Sequence, residues 1–452
     1  MFKDLQSVLV RYFATSATVN LSSDPGFQTA LETFDAALSA TLSKTNAEQN
    51  TSFSISVFSA SDPNLLYERY HTSDLVAGGT SGTSQVDGDS IYRICSISKL
   101  LTVYTFLAQD GDRHLNDPIT DYVPELLEAK ARPDAVTSNW EEVTLGELAS
   151  HLSGMARDYG LNDLTVTGVP SASKRQYGVI PGNSTLCGWD NEFGAFSPAG
   201  ANYASLKDIS KLGRSILNSD VLSKAQTRRW LKPKSLLNDL SGAVGMPWEI
   251  ERVQIGGRTV DLYTKDGDWN VYDTKLALVP DYDIGFAILA ASDAASIKGN
   301  AGLKVISDVN DEVAKTLLPA LEDIGRERTE RAFAGRYSSS VHGVAHSITV
   351  GVDPQAALGL TEWLYNGTDI LKELGRPWTQ KDQVLDFRLQ PNELYGANET
   401  GFTGTFGGYS WQAVDMYRYA KVGLEQFVFE VDENGIAVSL QSKGLRATLK
   451  KE

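Results

Sequence analysis

Residues 246 to 293 read as one antiparallel β series, and no other stretch constrains the fold as strongly. MPWEIERVQIGGRTVDLYTKDGD is followed by NVYDTKLALVPDYDIGFAILAAS, with IGGR and PDYD supplying turns. Text at helical spacing lies on both sides. GFQTALETFDAALSATLSK (26–44) and ASLKDISKLGRSILNS (204–219) place apolar residues on a period near 3.6, and residues 301–321 are helix-rich. SFSISVF (52–58) alternates as a half-buried strand does, and a second strand is expected at 64–70.

Beyond Arg331 the text changes to alternating aromatic and polar residues, as in HSITVGV, QVLDFRLQP and FVFEVDENGIAVSLQS. A domain boundary is expected near residues 322 to 333. The expected divisions are an N-terminal extension (1–25), a main domain (26–325) and a C-terminal β domain (330–452).

Composition excludes several function classes. With 41 Lys and Arg against 57 Asp and Glu among 452 residues, the chain carries a net charge of −16. Such a surface repels phosphate backbones and anionic lipid, so small neutral or cationic ligands are expected in place of nucleic acid or membranes. No run approaches the roughly 20 apolar residues that cross a bilayer. The N-terminal text is a poor signal peptide, because Asp4 and Arg11 interrupt its short apolar run, and a cytoplasmic location is expected. Five Asn-x-Ser/Thr sequons, at Asn20, Asn50, Asn183, Asn366 and Asn398, are a weak counterweight that would matter in a secreted chain. Cys95 and Cys187 cannot supply a disulfide framework or a closed cysteine zinc site, although one bridge between them is open.

The chemistry concentrates in SISKLLTVYTFLAQDG. A helix starting at Ser96 and stopping near Gly111 puts Ser96 and Lys99, three residues apart, on one face. A serine hydroxyl is a weak nucleophile until a base takes its proton, and a lysine among apolar side chains can be that base. The helix start adds N–H groups that favour a developing oxyanion. The alternative is a helix cap followed by a surface lysine. LLTVYTFLA, apolar on most faces, argues for a buried helix and so for the chemical reading.

Other groups fit less well. His342 and His346 are four apart in strand-like text, about 13 Å along the chain, and do not suggest a metal pair. His151, in a helix expected to run from Val143 into Gly154, reads as a hydrogen-bonded structural residue, and Cys95 as packing.

These residues resemble the serine β-lactamase and penicillin-binding-protein superfamily, most of all class C β-lactamases and the β-lactamase-like esterases and acyltransferases of fungi. YRICSISKLLTVYTFLAQDGDRHLNDPITDYVPEL is similar to that family's nucleophile helix and following loop. SHLSGMARDYG resembles its His-Thr-Ser-Gly block, AGANYASLKDISKLGRSIL its later core helix, and TKDGD its Lys-Thr-Gly strand. The matches keep the family's order over about residues 50–320. The resemblance implies an α/β (α+β) fold, an antiparallel sheet flanked by helices, with a shortened helical subdomain and the C-terminal β domain beyond it. It implies Ser96 as acyl-forming nucleophile and Lys99 as its proton partner. Lys265 and Gly267 would line the opposite wall, and the N–H groups of Ser96 and Asp268 would form an oxyanion hole. No metal or organic cofactor is implied, and the partner expected is a small acyl substrate. Oligomeric state is not legible.

Two departures stand out. The family's Tyr-x-Asn segment, whose phenol shares in proton transfer, has no counterpart after MARDY; Tyr159 or Tyr203 would have to substitute. Asp266 stands where the family motif has a hydroxyl residue, and its carboxylate would oppose an anionic substrate unless Lys265 neutralises it. Ester or thioester chemistry is therefore expected ahead of β-lactam hydrolysis, as hydrolase or acyltransferase, with secondary metabolism as open as general hydrolysis. The competing expectation is a degenerate member that binds a ligand without turnover.

Overall fold

The structure is a computed structural model and describes residues 21–45, 47–128, 139–155, 172–293, 300–341, 343–353, 357–375, 386–396, 398–406 and 418–452. The antiparallel series becomes the middle of an eight-stranded sheet. In chain order the strands of the first part are β1 (Thr51–Ser59), β2 (Leu65–His71), β3 (Ile91–Arg93), β4 (Tyr203–Ser205), β5 (Ser235–Leu236), β6 (Gly242–Val244), β7 (Glu249–Ile255), β8 (Arg258–Trp269), β9 (Tyr272–Val279) and β10 (Ile284–Ser292). The large sheet runs β2-β1-β10-β9-β8-β7-β6-β5, and β3 pairs with β4 separately. The β7–β8 turn is Gly256-Gly257, both at positive φ (57° and 83°), a conformation that glycine adopts without steric cost.

Seven helices matter here: α1 (Pro25–Thr45), α2 (Ile97–Ala108), α3 (Leu145–Ala149), α4 (Ser197–Gly200), α5 (Leu206–Asn218), α6 (Ala301–Glu312) and α7 (Leu318–Phe333). α5 packs on β1, β9 and β10, while α6 packs on β9, β10 and α1. Side chains alternate across a strand, so these helices cover opposite faces. β1 is therefore buried on both faces and is not the half-buried strand its alternation suggests. Its serine face lies under α5, where the hydroxyls find partners: Ser56 Oγ lies 2.8 Å from Ser210 Oγ, and Ser54 Oγ lies 3.1 Å from Tyr92 Oη. Satisfied hydroxyls can be buried, which hydropathy alone does not register.

Two further sequence readings are corrected. α2 ends at Ala108 and the left-handed residue after it is Asp110, at φ 70°. Gly111 is needed instead for closeness, since a Cβ there would meet Phe106 at 2.5 Å. α3 stops at Ala149, well short of Gly154, because His151 turns left-handed (φ 63°) and Leu152 N–H closes back onto the Glu147 carbonyl at 3.0 Å.

The described chain divides into two compact units. Leu21–Val253 with Val260–Leu317 form one, and Gln254–Thr259 with Leu318–Glu452 form the other. In the second unit α7 leads into a nine-stranded sheet, in which the two-residue strand Thr368–Asp369 accompanies eight longer ones: Gly335–Val341, Val344–Gly351, Leu358–Tyr365, Phe387–Tyr395, Glu399–Phe406, Gln426–Val431, Ala437–Ser442 and Ala447–Lys451. Val344–Gly351 pairs with both Gly335–Val341 and Leu358–Tyr365, which closes the sheet into a barrel. Closure removes the exposed edges of an open sheet. Its core is aromatic: Trp363 packs on Phe427 at 5.2 Å, and Phe429 on Phe402 at 5.1 Å and Phe333 at 5.0 Å. His346 stands on a strand and meets Tyr365 edge-on at 4.3 Å; His342 lies outside the described residues. No helix among the described residues is long and apolar enough to cross a membrane.

Candidate active site

Ser96 is placed by a tight turn. β3 ends at Arg93, Ile94 N–H donates to the Asn202 carbonyl at 3.0 Å, and Cys95 swings to φ 49° before α2 begins. A left-handed cysteine is strained, and the packing around it must hold it there. Cys95 is buried, with its thiol against the Arg93 and Tyr272 carbonyls, both at 3.7 Å. Ser96 then occupies the helix N-cap position with helical dihedrals (φ −68°, ψ −5°), and its side chain caps no N–H group. The hydroxyl is therefore not engaged in capping.

Lys99, one turn on, donates from Nζ to Ser96 Oγ at 2.7 Å and to the Ala199 carbonyl at 3.0 Å. Both side chains belong to half-buried residues, neither sealed in the core nor extended into water. α4 lies across this turn. Thr102 Oγ1 donates to the Pro198 carbonyl at 2.7 Å, and Asn202 N–H donates to Ser98 Oγ at 3.2 Å.

β8 forms the facing wall. Gly267 packs so tightly that a Cβ would lie 2.4 Å from the Ile94 carbonyl oxygen, 2.4 Å from Thr274 Oγ1 and 3.0 Å from Ser96 N. Lys265, two residues earlier, is on the same strand face, but its ammonium is engaged: Nζ lies 2.6 Å from Glu249 Oε1 and 2.8 Å from the Asp266 carbonyl. Glu249 Oε2 accepts from Asp266 N–H at 3.0 Å. Burial would raise the Glu249 carboxyl, but the Lys265 charge and these hydrogen bonds hold it below its ordinary value. Asp266 and Asp268 alternate to the opposite face. There Lys275, and not Lys265, neutralises Asp266, with Nζ 2.9 Å from Oδ1 and 2.7 Å from Glu251 Oε1. Burial still outweighs Lys275 and raises the Asp266 carboxyl. The Asp268 side chain is exposed.

Residues 56–171 match the family described as Beta-lactamase, and residues 325–452 match the one described as Beta-lactamase-like-like, C-terminal domain. Both matches support a likeness to the serine β-lactamase superfamily. Among curated relatives it is 25% identical to the "Beta-lactamase-like protein" of Arthroderma benhamiae, across 88% of this chain and 87% of that one. It is 21% identical to "Probable hydrolase M10" of a Phoma species, across 89% and 84%. A solved structure of SurE with D-Leu is similar at 15% identity and a TM-score of 0.42, covering 94% of this chain and 100% of that one. The first alignment spans 539 positions, more than the 452 residues present here, so that β-lactamase-like relative carries residues without counterpart in this chain.

Of the two substitute tyrosines, Tyr203 does not bond Lys99 through its hydroxyl. Tyr159 lies outside the described residues. Tyr203 points elsewhere: its hydroxyl donates to the Trp189 carbonyl at 2.6 Å, its ring stacks under Arg93, and burial pushes its phenol up to about 12 against the opposing Arg93 charge. His151 bonds the Pro247 carbonyl at 3.2 Å through Nε2. Cys95 and Cys187 are both free and buried, and burial raises both thiols. Among the described residues no group of three or more His, Cys, Asp or Glu could hold a metal ion.

Sequence reasoning missed Glu249, Ala199 and Arg93. Glu249 is one acidic residue at the start of a strand and Ala199 acts through its backbone, so neither leaves a motif. Arg93 is fully buried between Phe193 and Tyr203 and donates to the Gly188 and Asn191 carbonyls, anchoring the segment that leads to α4. An arginine in an apolar run was its only signal.

Proposed function

We propose that this member of a serine hydrolase family cleaves an ester, thioester or amide through an acyl-enzyme on Ser96. The 2.7 Å contact between Lys99 Nζ and Ser96 Oγ, on two half-buried residues, carries the reading. With Lys99 neutral, the proton runs from Ser96 Oγ to Nζ as Oγ bonds the substrate carbonyl carbon. The carbonyl oxygen becomes an oxyanion, for which the N–H groups of Ser96 and Asp268 are the proposed donors. Collapse expels the leaving group with a proton from Lys99, and water resolves the ester. An acceptor hydroxyl in place of water would make the same intermediate a transferase, the version compatible with secondary metabolism.

A second reading is ligand binding without turnover. It is favoured by the Ala199 carbonyl at Lys99, which accepts a hydrogen bond and cannot relay a proton. A fluorophosphonate probe separates the two. Labelling of wild type that vanishes in Ser96→Ala supports catalysis; folded wild type left unlabelled overturns it. Turnover of a chromogenic short-chain ester against nitrocefin then divides esterase from lactamase.

A further inference from the structure

The strand wall that faces Ser96 carries a cation whose charge is balanced within the protein. Gly267 leaves no room for a side chain beside the Ser96 amide nitrogen, and Lys265 sits roughly 7 Å earlier on the same face. Its side chain is only 4% exposed, and Glu249, whose side chain is 42% exposed, meets it at 2.6 Å. The second Glu249 oxygen accepts from Asp266 N–H at 3.0 Å, at the first residue of β7. Glu249 is thereby hydrogen-bonded at both carboxylate oxygens. Asp266 adds no balancing charge here, since its carboxylate pairs with Lys275 on the other face.

We propose that Glu249 sets substrate class: by neutralising Lys265 it makes the site select acyl groups without a neighbouring negative charge and turn away carboxylate-bearing ones. This rests on the serine hydrolase reading and deepens it. A substrate carboxylate arriving near Lys265 meets a compensated pair, with the more exposed partner being the negative one. Attraction that a lone ammonium would supply is cancelled, and desolvating the incoming anion is left without return.

The test uses the full chain and two boronic acids, phenylboronic acid and its ring-carboxylated analogue. In each, boron accepts the Ser96 Oγ electron pair while the hydroxyl proton passes to Lys99, so binding is read by calorimetry without turnover. In Glu249→Gln the carboxylated ligand should gain about tenfold in affinity relative to the neutral one, as expected when one charge near the site is removed. Glu249→Asp should keep the wild-type ratio, and Lys265→Gln added to Glu249→Gln should abolish the gain. Binding that depends on Ser96 with an unchanged ratio in a folded Glu249→Gln protein overturns the proposal while leaving the hydrolase reading intact. Wild-type binding that is unaffected by Ser96→Ala, or absent for both ligands, overturns both.

Discussion

Gly267 stands beside Ser96 with no room for a side chain between them: a Cβ on Gly267 would lie 3.0 Å from the Ser96 nitrogen. Strand β8 and the start of α2 can therefore close to this distance only if residue 267 lacks a side chain. Gly267→Ala should force the two apart, since the added methyl also meets the Ile94 carbonyl and Thr274 Oγ1, each at 2.4 Å. A loss of about 1–3 kcal/mol is expected from overpacking. Thermal unfolding checks that, and the rate of fluorophosphonate labelling should fall with it.

Ser96→Ala should leave stability nearly unchanged. The hydroxyl makes no capping bond, so the usual cost of about 1 kcal/mol for losing an N-cap does not arise. A chemical denaturation midpoint within error of wild type, together with complete loss of labelling, is the expected pair of results. A large destabilisation would restore the cap reading.

Lys99→Met should slow labelling of Ser96 by at least about 100-fold, the low end of what a positioned base contributes. Methionine keeps the length and apolar stem but cannot accept the hydroxyl proton. Labelling at an undiminished rate would remove Lys99 from the mechanism.

Asp273 should make stability depend on pH. It is buried on the sheet face opposite Ser96, and burial, then Asp268 and Asp266, push its carboxyl up to about 7 against a hydrogen bond from Leu303 N–H. The folded carboxyl thus keeps its proton to about pH 7, while an unfolded one loses it near the ordinary value of 3.8. Between these values the native state binds more protons, so its contribution is full below the lower value and disappears as pH rises through the upper one. The difference amounts to about 4 kcal/mol. Asp273→Asn, which keeps the shape, should flatten this slope between pH 4.5 and 7.5 in parallel unfolding curves.

Phe58 should be destabilised by its two glycine neighbours gaining a methyl. A Cβ at Gly213 or at Gly285 would stand 2.4 Å from Phe58 Cζ. Gly213→Ala should cost about 1–3 kcal/mol through overpacking, and Phe58→Leu in the same chain should recover part of it. A double-mutant cycle by urea unfolding measures the coupling.

Much of the architecture was legible because it rests on periodicity. The runs that became α1, α2, α5, α6 and β7 to β10 carry their spacing and turn residues in order, and the Ser96-x-x-Lys99 step lies within one of them. What failed was burial and termination. Nothing in SFSISVF tells that α5 will cover the serines, because a hydroxyl partner such as Ser210 comes from far along the chain. Nothing in SHLSG marks His151 as left-handed, since the conformation is set by where Leu152 N–H finds a carbonyl.

The amino-acid order by itself determined which residues can share a helix face or a strand face, because the 3.6 and 2.0 periods are local covalent geometry. Hence Ser96 with Lys99, and Lys265 with Gly267. Only the tertiary structure decided which charges meet. Lys265 paired with Glu249 and not with its neighbour Asp266, because adjacent strand residues face opposite ways and ion pairs form through space between groups that the chain brings together late.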